Sequence, residues 1–377
     1  MRCHLLCSSC STRYEIGELI NVCTRCGMPL LVQYDLAPNP ALRDEIRTRR
    51  ADMWRYREVL PANDEREIVT LGEGMTPLLP STKHENVWIK DESKNPTRSF
   101  KSRGMAAAVT MAKKLGARSL AAPTAGNAGA ALSAYGARAG LPVFVAMPMD
   151  TPKSIVDECR NYGAQVEMVA GVITDAGKRV AQFIKDNGGF DLSTLKEPYR
   201  VEGKKIMGYE LLEDLGSLPD VILYPTGGGT GLIGMWKAFD EMERLGWIGP
   251  AEQMPRPRMF SVQSSGCAPI VRAYDQGLEK APEWESPHTG AWGLRVPRAI
   301  GDFLMLRAIR DSKGGAVAVD EAAIEPAAAE VRRTEGIDAG PEAGAAFVAL
   351  QMLRDRGEIS SRERVVVFNT GGDKYRG

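Results

Sequence analysis

The chain has 377 residues, of which 44% are hydrophobic and 25% charged, and its 48 basic side chains balance its 48 acidic ones. This composition predicts a soluble globular protein of two or three domains, and the balanced charge argues against a nucleic-acid partner or an anionic membrane partner. No run of about 18 apolar residues predicts a membrane-spanning helix, and the opening MRCHLLCSSC lacks a signal-peptide pattern. We therefore expect a cytoplasmic protein.

The first predicted element is a cysteine-rich segment over residues 1–35. Two CxxC pairs, Cys7–Cys10 and Cys23–Cys26, are separated by twelve residues. This spacing is typical of a zinc ribbon in which four thiolates hold a structural zinc ion. Redox-active cysteines and a ribbon without metal are the alternatives. Because the stretch between the pairs has few basic residues and one aromatic, Tyr14, we expect a small structural element and not a nucleic-acid contact.

The rest of the chain predicts a linker followed by an α/β core. Residues 36–66 resemble a charged helix between proline-marked ends, so we assign 36–85 to a linker helix and the entry to the core. From residue 86 onward, short apolar runs alternate with helical patterns, which predicts parallel sheets covered on both faces. The predicted strands are NVWIK, RSLAAP, LPVFVAMP, AQVEMV, DVILYP, RMFSVQ, GAVAV and RVVVFN. The predicted helices begin near Ser99, Asn127, Pro152, Thr174, Gly203, Thr230, Glu321 and Pro341. The core over 86–377 would hold two interleaved subdomains, the smaller at about 105–200.

Three loops follow predicted strands, where ligands of parallel sheets bind against helix N-termini. Their sequences are NPTRSFKSRG, PTAGNAGAALSAYG and YPTGGGTGLIGMW. Consecutive glycines at 227–231 allow several backbone N–H groups to point at one anion, which favours a phosphate site over a flexible turn. The run matches neither a dinucleotide fingerprint nor a P-loop.

The other two loops suggest a chemical role for Lys101, the lysine of the first loop. A lysine at a helix start, with a separate phosphate cradle, indicates pyridoxal phosphate held as a Schiff base on Lys101. The helix start and the nearby Arg103 are both expected to lower the pKa of this amine. The alternative is an ordinary solvated lysine.

Nearly the whole chain resembles the threonine synthase branch of the fold-type II pyridoxal-phosphate enzymes, in the tryptophan synthase β superfamily. The resemblance begins with the cysteine ribbon. It continues through LGEGMTPL at 71–78, KDESKNPTRSFKSRG at 90–104, PTAGNAGAALSAYGARAG at 123–140, EGKKIMGYE at 202–210, YPTGGGTGLIGMWKAF at 224–239, VQSSGCAPI at 262–270 and FNTGGDKY at 368–375. It implies a lyase built from two parallel-sheet domains, and it suggests a homodimer.

The resemblance also implies roles for individual residues. Lys101 would be the Schiff-base lysine and the proton carrier, Asn127 would bind the cofactor's 3′-oxygen, and Thr370 would meet the pyridine nitrogen. The phosphate would be held by Gly227, Gly228, Gly229, Thr230 and Gly231. The loop of Thr124, Ala125, Gly126 and Asn127 would bind the substrate α-carboxylate at a helix N-terminus.

The parent reaction of the branch converts O-phospho-L-homoserine and water to L-threonine and phosphate, so the resemblance implies an anionic amino-acid substrate. Its distal phosphate requires cations, and Arg98 and Arg103 are predicted to supply them because a guanidinium binds phosphate in a bidentate manner. Arg98 stands where family members commonly carry glycine. Cysteate synthase, which uses O-phosphoserine and sulfite, and threonine or serine dehydratase are alternative activities. A catalytically silent zinc-ribbon binding protein is the non-enzymatic alternative.

Overall fold

The computed structural model describes residues 3–374, in which the predicted alternation of strands and helices is present. The strands are β1 (Cys3–Cys7), β2 (Arg13–Glu15), β3 (Leu30–Tyr34), β4 (Leu78–Pro80), β5 (Val87–Asp91), β6 (Leu120–Pro123), β7 (Val143–Pro148), β8 (Gln165–Val169), β9 (Phe190–Asp191), β10 (Val221–Pro225), β11 (Arg258–Ser264), β12 (Gly315–Val319) and β13 (Val365–Asn369). The helices are α1 (Leu42–Arg47), α2 (Lys101–Lys114), α3 (Asn127–Ala139), α4 (Lys153–Asn161), α5 (Ile173–Asn187), α6 (Arg200–Leu215), α7 (Thr230–Arg244), α8 (Pro269–Asp275), α9 (Asp302–Asp311), α10 (Glu321–Glu335) and α11 (Pro341–Asp355).

The larger sheet has the order β12-β11-β10-β13-β5-β4, and only its edge strand β4 runs antiparallel to its neighbour. Its central strands are buried throughout and almost entirely apolar, such as VILYP in β10 and VVVFN in β13. This pattern is the one expected of a parallel sheet covered on both faces. The α/β fold class predicted from the sequence is confirmed.

The smaller sheet has the order β8-β7-β6-β9, and all of its strands are parallel. Helices α3 and α4 pack against each other beside this sheet, and α5 contacts β6, β7 and β9. The chain segment from β6 to β9 lies inside the range of about 105–200 that the sequence predicts for the smaller subdomain. The exact domain boundaries stay a prediction, and residues 1–2 and 375–377 of the predicted domains lie outside the described residues.

The sequence predicts one charged helix in the linker, but the structure shows two short helices there. The linker contains the short helix α1 and a separate 3-10 helix over Met53–Val59, whose start is capped by the Asp52 side chain accepting from the Trp54 N–H. Trp54 and Tyr56 are buried against the core. Burial of these aromatic side chains outweighs the helical propensity of the charged residues around them, because each removes a large apolar surface from water.

The cysteine-rich segment forms a three-stranded antiparallel sheet, β2-β1-β3, and contacts the core. The Asn21 amide donates hydrogen bonds to the carbonyl oxygens of Asp191 and Lys196, both at 2.7 Å. The Tyr34 hydroxyl donates to the buried Glu202 carboxylate at 2.7 Å. The segment is therefore attached to the chain between β9 and α6, and is not an isolated appendage.

Within residues 3–374, no helix combines the length and the apolar character that crossing a lipid bilayer requires.

Candidate active site

A cavity of about 570 Å³ lies between the two parallel sheets, and the three loops singled out in the sequence line it. Its volume is in the usual range for a small-molecule site. The walls come from the carboxyl ends of β6, β10 and β13, from the start of α2 and from the segment before α6. The parallel strands end at this cavity, which is where α/β sheets bind their ligands.

Backbone contacts join the first loop to the end of the chain. The Phe100 N–H donates to the Thr370 carbonyl at 3.0 Å, and Ser99 forms an antiparallel bridge with Gly371. A Cβ added to Gly371 would lie 3.4 Å from the Asn127 amide nitrogen. Residues from three distant sequence positions therefore meet beside Lys101.

Lys101 begins α2, and its ammonium lies 3.8 Å above the centre of the Phe100 ring. Burial lowers the pKa of Lys101 to about 7, and the nearby positive charge of Arg200 adds to this effect, while Glu342 opposes it. A large part of the Lys101 amines is therefore neutral near pH 7, as a nucleophilic lysine requires. The predicted role of Arg103 in this shift is wrong, because Arg200 is the cation that acts on Lys101.

The glycine run at 227–231 forms a close-packed turn between β10 and α7. Gly229 has a φ of +74°, and a Cβ at that position would lie 2.0 Å from the Met305 sulfur. A Cβ at Gly227 would lie 2.2 Å from the Gly293 carbonyl oxygen. Only glycine satisfies both restrictions, so the backbone N–H groups at the start of α7 reach the cavity and can bind an anion.

Two buried polar atoms of residues that line the cavity have no hydrogen-bond partner in the described chain. They are the Asn127 Oδ1 and the Tyr224 hydroxyl. Buried polar atoms are rarely left without partners, so these atoms indicate a polar ligand. Asn127, Thr370 and the glycine turn lie around Lys101 in one cavity. This donor set fits a phosphorylated pyridine aldehyde bound by the lysine amine.

The loop before α3 forms another wall of the cavity through Thr124, Ala125, Gly126 and Asn127. The Thr124 hydroxyl accepts from the Gly126 N–H at 3.2 Å, which stabilises the turn into the helix. The first N–H groups of a helix have no partner within the helix, and its dipole favours negative charge there. The loop is therefore suited to a carboxylate.

Arg103 lies elsewhere, which corrects the prediction that it contacts the substrate. Its guanidinium is fully buried and bonds Glu92 through Nε at 2.6 Å and Glu210 through Nη1 at 2.5 Å. Its Nη2 also donates to the Thr76 hydroxyl at 3.1 Å. Each nitrogen is engaged within the core, and Arg103 does not line the cavity.

Arg98 also differs from its predicted place in the substrate cleft. Its side chain is about half exposed and forms an ion pair with Asp338 at 2.5 Å. Its Nη2 donates to the Asp373 carbonyl at 3.3 Å, and its own carbonyl accepts from the Gly372 N–H. Arg98 therefore holds the chain that follows Thr370, and it is not among the residues that line the cavity.

Other cations line the cavity in their place. Arg200 is buried there, with its Nη1 bonded to the Leu192 carbonyl at 2.8 Å and its Nε without a partner in the described chain. Arg295 lines the mouth of the cavity and pairs with Asp150 at 2.8 Å. The sequence pattern does not predict a site role for either arginine. Only the density of basic residues in RVEGKK, at the start of α6, could have suggested Arg200.

The four cysteine sulfurs form a second candidate site. They all lie within 4.8 Å of one another, with Cys7–Cys26 at 3.4 Å and Cys10–Cys23 at 3.6 Å. A tetrahedral zinc ion with Zn–S bonds of about 2.3 Å places sulfurs about 3.8 Å apart. The cluster therefore fits a four-thiolate zinc site, in which every coordination position is taken by protein.

We expect Cys7→Ser combined with Cys10→Ser to remove about one equivalent of zinc and to lower the Tm by roughly 5 °C or more, because closed zinc sites contribute directly to folding. Metal analysis and thermal unfolding test this. Cys3→Ser is the control, since Cys3 lies in the same small sheet outside the four-sulfur cluster. Parent protein purified without chelators and free of zinc would contradict the prediction.

Comparison with protein families gives a match to the model described as pyridoxal-phosphate dependent enzyme over residues 69–371. The chain is 34% identical over 376 residues to a threonine synthase of Methanosarcina acetivorans, covering 98% of this chain and 91% of that protein. It is 32% identical over 375 residues to a threonine synthase of Methanocaldococcus jannaschii, covering 97% and 91%.

Solved structures share the fold at lower identity. Maize serine racemase has a TM-score of 0.69 at 19% identity, over 89% of this chain and 94% of its own. A pyridoxal 5′-phosphate-dependent aspartate racemase has a TM-score of 0.65 at 20% identity, over 79% of this chain and 90% of its own. These similarities support the fold that the strand order already indicates.

Proposed function

Because this chain belongs to the family of pyridoxal-phosphate-dependent enzymes, we propose that it converts O-phospho-L-homoserine and water to L-threonine and phosphate. The threonine synthases that resemble it over nearly its full length support this reaction. The cavity contains groups suited to each part of such a substrate.

Four elements would hold the cofactor. Lys101 would bind its aldehyde carbon, Asn127 its ring oxygen, and the hydroxyl of Thr370 its pyridine nitrogen. The N–H groups of residues 227–231 would hold its phosphate. When bound, pyridoxal phosphate withdraws electrons from the substrate and makes its Cα and Cβ protons acidic. A hydroxyl partner at the ring nitrogen does not enforce protonation of that nitrogen, unlike a carboxylate.

Lys101 would also move protons at the substrate carbons once its amine is free. Its lowered pKa of about 7 lets it accept and return a proton near neutral pH. The adjacent Phe100 ring covers one side of the amine, with its centre 3.8 Å away. The loop of Thr124, Ala125 and Gly126 would hold the substrate α-carboxylate and so orient Cα toward Lys101.

Arg200 would bind the distal phosphate of the substrate. Its guanidinium is buried on the cavity wall, and its Nε has no partner in the described chain. A buried charge with a free donor is well suited to an anion, since a charge-assisted hydrogen bond strengthens when water is excluded. The observation that carries the proposal is the presence of Lys101 and this guanidinium in one cavity.

A substrate screen tests the reaction. Purified protein loaded with pyridoxal phosphate is expected to release phosphate from O-phosphohomoserine and form threonine in equal amounts. O-phosphoserine with sulfite, threonine, and serine are assayed in parallel. Sulfite-dependent phosphate release, or keto acid formed from threonine or serine as the main activity, would replace the proposed reaction. No turnover of any of these by cofactor-loaded protein would overturn it.

Two arginine variants test whether the substrate phosphate binds Arg200, which lines the cavity, or Arg98, which the sequence predicts. Arg200→Leu is expected to lower kcat/KM for O-phosphohomoserine by about 1.5–3 kcal/mol, mainly through KM, because it removes a charge-assisted contact. Arg98→Gly is expected to change kcat/KM by less than about 0.5 kcal/mol, as for a surface residue.

Steady-state kinetics of both variants decides the point, with Arg200→Lys as the variant that keeps the charge. A large KM effect in Arg98→Gly and none in Arg200→Leu would return the substrate contact to Arg98.

We also propose that the protein acts in the cytoplasm as a homodimer, on the family resemblance alone. Sedimentation equilibrium of the purified chain tests the assembly, and a monomer at micromolar concentration would contradict it.

A further inference from the structure

Lys204 is a fully buried lysine with no acidic partner in the described part of the chain. It lies on α6, and its ammonium donates a hydrogen bond to the Thr230 hydroxyl at 2.5 Å. The centre of the Phe100 ring also lies 4.9 Å from this ammonium. Burying an ammonium without an opposite charge is costly, so a counter-charge is expected from a ligand.

The chain makes room for this side chain. A Cβ on Gly104 of α2 would lie 2.7 Å from the Lys204 Cε, so a larger residue at 104 would collide with the lysine stem. Thr230 is the first residue of α7 and lines the cavity beside the glycine turn. Lys204 therefore reaches from a neighbouring helix, over Gly104, to the point where the proposed cofactor phosphate would lie.

Burial, followed by the charges of Arg200 and Lys101, lowers the pKa of Lys204 well below its usual value, while Glu197 opposes the shift. Lys204 thus belongs to a set of three basic side chains beside the cavity, together with Arg200 and Lys101, whose positive charges disfavour its protonation. An arriving dianionic phosphate would supply the missing negative charge.

The hydrogen bond to Thr230 has a defined direction when Lys204 is charged. An ammonium has three donors and no acceptor, so the Thr230 oxygen must accept from it. The hydroxyl hydrogen of Thr230 is then free to point into the cavity and to donate to an anion.

We propose that Lys204 is a positioning residue for the cofactor phosphate, which sets the Thr230 hydroxyl as a donor to the phosphate and supplies the counter-charge behind the glycine turn. This inference rests on the proposed function, because it takes the ligand of the glycine turn to be pyridoxal phosphate. It assigns a role to a residue that touches neither the substrate nor the reacting carbons.

The test compares two ligands that differ only in the phosphate. Dissociation constants for pyridoxal phosphate and for pyridoxal are measured on cofactor-free full-length protein, by the visible absorbance of the lysine-bound form. Lys204→Met is expected to weaken pyridoxal phosphate by about tenfold to hundredfold, while pyridoxal changes less than about twofold. Thr230→Val should act in the same direction, and Thr230→Ser should keep the parent affinity.

Thermal unfolding gives a readout that a purely structural lysine would not produce. Cofactor-free Lys204→Met is expected to unfold at a higher temperature than the parent, by roughly 2 °C or more. On folding, the parent must either release the Lys204 proton or bury it without a counter-charge, whereas the unfolded chain keeps that proton in water. The matched control is Lys205→Met, the next residue along α6, whose ammonium is paired with Glu202 at 2.6 Å and Glu241 at 2.9 Å. This control is expected to lower the Tm and to leave the ratio of the two affinities unchanged.

The outcomes separate the two proposals. If the parent does not bind pyridoxal phosphate on Lys101, the proposed function fails. If the parent binds it, and Lys204→Met weakens both ligands equally or neither, the inference about Lys204 is overturned. Should Lys204→Met not yield folded protein, Lys204→Gln and the Thr230 variants carry the same comparison of ligands, and equal loss of both affinities in them also overturns it.

Discussion

Replacing Lys101 with alanine is expected to abolish turnover while leaving the protein folded. The substitution removes the amine that would bind the cofactor and also the group that would move protons at the substrate carbons. One positioned acid–base group contributes about 10²–10⁴-fold, and the attachment is lost as well, so we expect a fall in kcat of at least about 10⁴-fold. Side-chain removal at the start of α2 leaves the helix intact, since the N-terminal positions of a helix tolerate alanine.

Borohydride reduction followed by peptide mass analysis measures the attachment directly. The parent should carry the reduced cofactor on the peptide that contains Lys101, and Lys101→Ala should carry none. Lys94→Ala is the matched control, because Lys94 is an exposed lysine of the same sequence motif that does not line the cavity. A reduced cofactor on another lysine of Lys101→Ala, or turnover near that of the parent, would show that the assignment is wrong.

Replacing Arg103 with methionine is expected to destabilise the protein by about 3–5 kcal/mol. The buried Glu92 and Glu210 carboxylates would lose the guanidinium that pairs with both of them, and an uncompensated buried charge is expensive. Lys90 would remain as a partner of Glu210 at 2.9 Å, but it does not pair with Glu92. Urea unfolding of parent and variant measures the difference in the free energy of unfolding.

Arg66→Met is the control for this experiment. Arg66 also pairs with a carboxylate, Asp64, but its side chain is 88% exposed, and we expect little change. Adding Glu210→Gln to Arg103→Met should recover part of the lost stability, because it removes one of the stranded charges. Unchanged stability with a raised KM for the substrate in Arg103→Met would restore the substrate contact that the sequence suggested.

The fold class and the positions of most core elements could be read from the sequence. Strands such as VILYP and VVVFN are continuous apolar runs, because a parallel sheet between helices is buried on both faces. The sequence pattern does not predict the short helices α8 and α9, and it predicts one helix for the charged linker. In these places burial of a few apolar side chains decides the local conformation, and that burial depends on partners far away in the chain.

Most of the site residues that the sequence motifs predict line the cavity, but Arg98 and Arg103 do not. Lys101, Asn127, Thr370 and the glycines of 227–231 all line one cavity, as the order of their motifs predicted. Their chemical roles stay predictions until the variants above are measured. Lys101, Asn127 and the glycines were recognisable because they lie between a strand and the start of a helix, whereas Thr370 directly follows the last strand, β13.

The sequence by itself therefore determined the fold class, the family and the loops that meet at the cavity, because these depend on local patterns of burial and backbone geometry. Only the tertiary structure decided which cations face the ligand. Arg98, Arg103 and Lys204 are all basic residues close to predicted site motifs in the sequence. In the structure, Arg98 pairs with Asp338 near the surface, and Arg103 is buried between two glutamates. Lys204 reaches the glycine turn without an acidic partner in the described chain. The long side chain of a lysine or arginine can follow several directions, and its environment is set by residues distant in sequence, so its partner becomes known only when the helices are packed.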